Sequence, residues 1–275
     1  MTIRIVQSKQ NARVKELRAT LLHPGRGVSG LVALEGIHLL QEALRSNLQL
    51  HTVFVAQGYE NLLTQLKIPQ SVEILALPRE ILSSAVTTES PQPIAALAQA
   101  RSWKWSDLLP DQLPEQGKNP LLLILAGIQD PGNLGTILRS AEAFAANGII
   151  SLPGTVSPWN PKTMRASAGS VFRLPVVVLS EAECFDNLRH AGIYTLAAMA
   201  QAAQPLGKTA MNEPVALVIG SEGSGLAPEL AARCDSRITI PCPGPVESLN
   251  AAVAASILLY EAARQRALAP SRRQS

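Results

Sequence analysis

The chain has 275 residues, 47% hydrophobic and 16% charged, with a formal net charge of +3. That balance excludes a disordered tail, and no apolar run reaches the ~20 residues a membrane-spanning helix needs. Three cysteines without CxxC spacing and only four histidines exclude a zinc site or disulfide scaffold, so no metal is expected and a reducing, cytoplasmic setting is.

In chain order, the opening stretch holds charges but no apolar signal region. Residues 8–22 read as a helix with Ser8 as N-cap and a basic face. Stretches 31–34 and 53–55 read as strands, and 37–44 and 81–85 as helices. This is a small α/β unit over about residues 1–100. Residues 101–120 hold Pro110, Pro114, Gly117 and Pro120 and read as a linker.

From 121 to 268 the pattern is clearer. Apolar runs at 121–126, 148–152, 176–179, 193–196, 215–219 and 237–240 read as strands buried on both faces. Helical patterns lie between most of them, at 134–146, 162–168, 181–190 and 228–233, and a long helix runs from 248 to about 268. The expected fold is a parallel α/β sheet covered on both sides, with a basic tail at 269–275.

Charge gathers at the two ends. Residues 1–30 carry Arg4, Lys9, Arg13, Lys15, Arg18 and Arg26 against Glu16 alone, and residues 262–275 carry Arg264, Arg266, Arg272 and Arg273 with no acid. Basic ends on a mildly acidic body fit a polyanion, with Arg13, Lys15 and Arg18 as phosphate contacts. Lys162 and Arg165, clustered with hydroxyls, are further candidates.

Ligands of open parallel sheets bind beyond the carboxyl ends of the strands. Three segments there carry chemistry. Residues 127–139 open a helix with Asn133 as a candidate cap and place Arg139 under two turns on, a pairing suited to a phosphate or carboxylate. Residues 219–226, Ile-Gly-Ser-Glu-Gly-Ser-Gly-Leu, let backbone approach a flat ligand. Their G-x-x-G-x-G order lacks the P-loop lysine and differs from the dinucleotide fingerprint. Residues 240–250 form a Pro/Gly loop leading to Ser248, a natural N-cap, and Asn250.

Together NLGTILRSAEAFAANGI, VALVIGSEGSGL and ITIPCPGPVESLNAAVAASILLYEAARQR resemble the three motifs of the SpoU/TrmH family of RNA ribose 2′-O-methyltransferases. Cys242 stands where a methionine or other apolar residue is common, and Ala251-Ala252 replaces a more usual Val-Ser pair. EGIHLLQEAL resembles part of the substrate-binding domain that precedes such enzymes. The resemblance implies a SPOUT-type α/β domain with a C-terminal trefoil knot, after a small α/β RNA-binding domain. It implies S-adenosylmethionine as cofactor, a homodimer, and ribosomal RNA, with transfer RNA as the alternative. It assigns catalytic roles to Asn133, Arg139, Glu222, Ser248 and Asn250. It assigns the cofactor to Gly220, Ser221, Gly223, Ile240, Pro241, Ser248, Leu249 and Asn250.

The family proposal makes Arg139 the base, which its high pKa opposes, and Glu222 is the alternative. Two rival readings are a non-catalytic RNA-binding module and a nucleotide-dependent oxidoreductase. Cofactor calorimetry and NADH titration distinguish them.

Overall fold

The computed structural model describes residues 2–24, 30–109, 119–201 and 203–268. Arg26, Arg272, Arg273, the tail and the middle of the proline-rich stretch lie outside the described residues. The chain divides into two compact units, one of Met1–Arg101 with Trp159–Arg173, the other of Ser102–Pro158 with Leu174–Ser275.

The first unit is built on a five-stranded sheet. Its strands are β1 (Ile3–Ile5), β2 (Leu31–Glu35), β3 (Leu50–Ala56), β4 (Glu73–Leu77) and β5 (Ile94–Gln99), in the order β1-β4-β3-β5-β2. β1, β4 and β3 run parallel, and β5 is antiparallel to β3 and β2. Helices α1 (Ala12–Leu22), α2 (Ile37–Arg45), α3 (Asn61–Gln65) and α4 (Arg79–Ala85) connect them. α1 buries Val14, Leu17 and Leu21, one apolar stripe, against a core that includes Phe54, Leu75 and Leu82. Its N-cap is Asn11, which accepts from the Arg13 N–H at 2.9 Å, and not Ser8. The Ser8 hydroxyl accepts from the Gln10 N–H instead and makes a turn before the helix.

Trp159–Arg173 belongs to this unit although it comes from the middle of the later sequence. It holds α7 (Pro161–Ala166) and a 3-10 turn, Ser170–Phe172. Arg173 donates to Glu42 at 3.0 Å and to the Ser46 hydroxyl at 3.1 Å. Gly169, at φ +87°, lies where a Cβ would come 2.6 Å from the Glu42 Cβ, so only glycine allows this approach.

The second unit carries seven parallel strands. They are β6 (Leu121–Leu125), β7 (Gly148–Ser151), β8 (Val176–Val178), β9 (Tyr194–Ala198), β10 (Gln204–Pro205), β11 (Val215–Ile219) and β12 (Ser236–Thr239). Their order is β10-β12-β9-β11-β6-β7-β8. Helices α5 (Trp105–Leu108), α6 (Pro131–Ala143), α8 (Glu181–His190), α9 (Pro228–Ala232) and α10 (Ala251–Leu268) accompany them. Leu122, Ile124, Ile150, Ala216 and Val218 face a core closed by Phe185 and Leu188 of α8 and Leu230 of α9. Strand side chains alternate, so Leu121, Leu123, Leu125 and Leu217 turn to the opposite face; α10 packs on α6 and on β11.

Two expectations change here. The stretch read as linker is partly folded: Leu108 is fully buried and Trp103 and Trp105 pack on the same core, because their apolar area outweighs the flanking prolines. At the basic C-terminal end, the two arginines among the described residues are both partnered. Arg264 pairs with Glu261 at 2.7 Å, and Arg266 donates to the carbonyls of Met211, Asn119, Pro120 and Glu213. Burial pushes the Arg266 guanidinium down to about 10, so it stays charged at neutral pH and faces inward.

Candidate active site

The order β9-β11-β6, with β12 beside β9, brings four strand ends to one edge. The loops after β6, β9, β11 and β12 meet there. A cavity of about 770 Å³ opens at that edge, within the usual ligand range of roughly 300–1,000 Å³.

Its tightest wall is the loop after β11. Ser221 and Gly225 exchange backbone hydrogen bonds of 3.1 Å in each direction, folding the loop back on itself. Gly225 sits at φ +67°. A Cβ on Gly220 would fall 2.2 Å from the Gly225 carbonyl carbon, so the position admits no side chain. The wall therefore presents main chain to the cavity.

Of the residues expected to hold a cofactor, Gly220, Ser221, Gly223, Ile240, Pro241, Ser248 and Leu249 line this cavity, with Glu222. Ala198, Met199, Ala200 and Gln201 line it too, and sequence reasoning missed them. They end or follow β9, whose place between β11 and β12 was the signal, and that place is set by strand order and not by local pattern.

Beside the cavity three residues join into one directed chain. The Asn250 Oδ1 accepts from the N–H groups of Ala252 and Val253 at 2.9 and 3.3 Å, which caps α10. Asn250 Nδ2 donates to Asn133 Oδ1 at 3.1 Å, and Asn133 Nδ2 donates to Glu222 Oε1 at 2.8 Å. Backbone N–H groups only donate and an ionised carboxylate only accepts, so the two ends fix which way both amides point. Burial pushes the Glu222 carboxyl up. The hydrogen bonds from Asn133 and from the backbone of Glu222, Gln129 and Asp130 outweigh it and hold the carboxyl below its ordinary value. Glu222 is anionic at neutral pH and a weak proton acceptor.

Both expected caps differ from those observed. Asp130, with Pro131 next to it, caps α6 by accepting from the Asn133 N–H at 2.9 Å, which frees the Asn133 side chain for Glu222. Ser248 does not cap α10, because the helix starts at Ala251 and Asn250 occupies the capping position; Ser248 lines the cavity instead.

Arg139 sits exposed on α6, with no hydrogen bond or ion pair among the described residues. The five cations expected to meet RNA all fall in the first unit. Lys15, Arg18, Lys162 and Arg165 are exposed. Arg13 is held by Glu16 at 2.8 Å and Glu73 at 3.2 Å; its hydrogen bond to Glu16 leads in raising its pKa. No group of His, Cys, Asp and Glu able to hold a metal occurs among the described residues, and no described helix is long and apolar enough to cross a membrane.

Residues 120–260 match the SpoU rRNA Methylase family, and residues 11–96 match the MRM3-like substrate binding domain. The 23S rRNA (guanosine(2553)-2′-O)-methyltransferase RlmP of Bacillus subtilis is 30% identical over 259 residues, covering 93% of this chain and 97% of the relative. The crystal structure of an rRNA methyltransferase from Sinorhizobium meliloti superposes with a TM-score of 0.81 at 29% identity, over 96% of this chain and 98% of that one. The SpoU methyltransferase AviRb from Streptomyces viridochromogenes, in complex with the cofactor AdoMet, gives a TM-score of 0.83 at 27% identity, over 94% and 99%. With its three motifs assembled at one sheet edge, the chain belongs to the SpoU methylase family.

Proposed function

We propose that the protein is an S-adenosylmethionine-dependent methyltransferase that modifies the ribose 2′-hydroxyl of structured RNA, ribosomal RNA ahead of transfer RNA. The observation that carries this reading is the glycine-walled cavity beside the amide chain that ends on Glu222.

The residues present fit that cofactor. The Gly220 position leaves bare main chain for a flat ring, and Met199, Ile219, Ile240 and Leu249 supply apolar contact. Glu222 and Glu247 set carboxylates around the cavity, complementary to a sulfonium. Gly220, Ser221, Gly223, Ile240, Pro241, Ser248 and Leu249 would hold it, and Asn250, expected in the same set, lies beside the cavity and not in its lining. When bound, the cofactor supplies an electrophilic methyl group on a positively charged sulfur.

The remaining work falls to side chains of this protein. A ribose hydroxyl is a weak nucleophile and must lose its proton in line with the methyl. Arg139 is the exposed cation in the first motif, and its guanidinium stabilises the developing alkoxide and holds the RNA there. Glu222 is spent on Asn133, so it orients the first motif and does not take the proton. The cations of the first unit grip RNA phosphates. The implied trefoil knot and a homodimer complete the reading; exposed Val253 and Tyr260 on α10 support a second copy as the partner.

The test is transfer of tritiated methyl from S-adenosylmethionine to unmodified rRNA and tRNA pools, followed by alkali. Label in alkali-resistant dinucleotides from rRNA is expected, and it should vanish with Arg139→Ala. No label in either pool would overturn the reading, and binding of NADH in place of S-adenosylmethionine would replace it with an oxidoreductase.

A further inference from the structure

Helices α6 and α10 are joined by polar bonds at two levels. The first is the Asn133–Asn250 pair, at the start of both helices. The second lies further along, where the Ser140 and Ser256 hydroxyls are 2.7 Å apart. Ser256 also donates its only proton to the Ala252 carbonyl at 2.7 Å. The proton between the two serines is therefore that of Ser140, and the bond runs one way, from α6 to α10.

The spacing gives this pair its meaning. Asn133 and Ser140 lie about two helical turns apart, ~10 Å along the axis and on one stripe of α6. Ile137 and Ala141 beside that stripe are buried. One turn beyond, Phe144 meets Tyr260 edge-on, ring centres 5.9 Å apart. Apolar contact is non-directional and tolerates a helix rolling by some degrees. A hydroxyl–hydroxyl bond does not, because it weakens steeply as its angle closes. Arg139 precedes Ser140, about 100° around the same helix. With α6 pinned at two levels against α10, the direction in which Arg139 leaves the helix is set.

We infer that Ser140 and Ser256 are positioning residues for methyl transfer: their bond fixes the rotation of α6 about its own axis and so aims Arg139 at the reacting ribose. This rests on the functional reading above, which places Arg139 at that ribose. Neither serine lines the cofactor cavity, so the pair acts on rate and not on cofactor affinity.

The test uses the full chain, RNA and tritiated S-adenosylmethionine in single turnover. Ser256→Ala should slow transfer about three- to tenfold, with cofactor affinity unchanged by calorimetry and the melting temperature within a few degrees of wild type. Ser256→Thr keeps the hydroxyl and should recover most of the rate. On an Arg139→Lys background, Ser256→Ala should cost little more, since there is no longer a fork to aim. An unslowed Ser256→Ala beside an impaired Arg139→Lys overturns the inference and leaves the functional reading standing. An equal loss on both backgrounds reduces the pair to a structural contact and also overturns it. A wild-type chain that transfers no methyl overturns the functional reading and this inference with it.

Discussion

Replacing Gly220 by alanine tests the main-chain wall of the cavity directly. The new Cβ would lie 2.2 Å from the Gly225 carbonyl carbon, 2.3 Å from the Leu226 nitrogen and 2.4 Å from the Gly225 oxygen. All three are backbone atoms, so no side chain can swing aside. Non-bonded carbon needs about 3.5 Å, so the loop must retreat by roughly 1 Å. That movement breaks into the paired bonds between Ser221 and Gly225, each worth about 0.5–1.5 kcal/mol. With the strain of overpacking, about 1–3 kcal/mol, the expected destabilisation is about 2–4 kcal/mol. The cavity wall moves with the loop, so affinity for S-adenosylhomocysteine should fall at least about tenfold, or ~1.4 kcal/mol. For stability, and not for affinity, Gly223→Ala is the internal control, because no protein atom lies within 4 Å of its Cβ. It should stay within about 0.5 kcal/mol of wild type. Differential scanning and titration calorimetry read both quantities. Wild-type binding and stability in Gly220→Ala, or equal destabilisation by Gly223→Ala, would refute the reasoning.

Other perturbations separate the remaining parts of the molecule. Arg266→Ala withdraws donors from four backbone carbonyls and should cost about 2–4 kcal/mol in urea unfolding; a change below about 0.5 kcal/mol would mean water replaces the guanidinium freely. Asn250→Ala should cost about 1 kcal/mol through the lost cap, whereas Asn250→Asp should keep the cap yet slow methyl transfer by offering Asn133 no donor and setting a second carboxylate near Glu222. Equal transfer rates in Asn250→Asp and wild type would remove the amide chain from the mechanism. At Glu42, burial pushes the carboxyl up, but the hydrogen bonds from Arg173 and Arg45 prevail and lower its pKa. A depressed carboxyl contributes stability above its unfolded value of about 4.3 and loses it as pH falls through the folded value. Glu42→Gln should therefore be less stable than wild type by about 1–3 kcal/mol at pH 7, with the gap closing below about pH 4. A gap independent of pH would show that Glu42 acts by packing alone.

Local signals read well where one pattern had no competitor. α8 spans Glu181–His190, the range its helical pattern gives, and the structure adds a reciprocal capping box between Ser180 and Glu183 at its start. Caps went astray where several polar residues crowd a helix start. Asp130 outcompetes Asn133 because Pro131 presets the first turn, and Asn250 displaces Ser248 by proximity to the first free N–H groups. β1, β4 and β5 escaped notice in the first unit, β5 because its alanines carry little strand preference. The three motifs were visible one by one at strand ends. The chain of bonds from Asn250 through Asn133 to Glu222 was not, since it joins residues 117 and 89 positions apart, and only strand order brings them together. Nor could local pattern say that α7 would join the first unit, because a short helix does not encode which sheet it packs on.

The anchoring of Arg266 also carries a consequence in time. The carbonyls of Asn119 and Pro120 precede the first strand of the seven-stranded sheet, and those of Met211 and Glu213 precede β11. Their shared donor is synthesised after all seven strands. While the chain is still growing, the starts of two neighbouring strands lack the cation that will hold them. The first unit can gather its own five strands early, but it too waits for Trp159–Arg173 to arrive. The second unit therefore closes only once α10 has been made and can bring Arg266 back to the starts of β6 and β11.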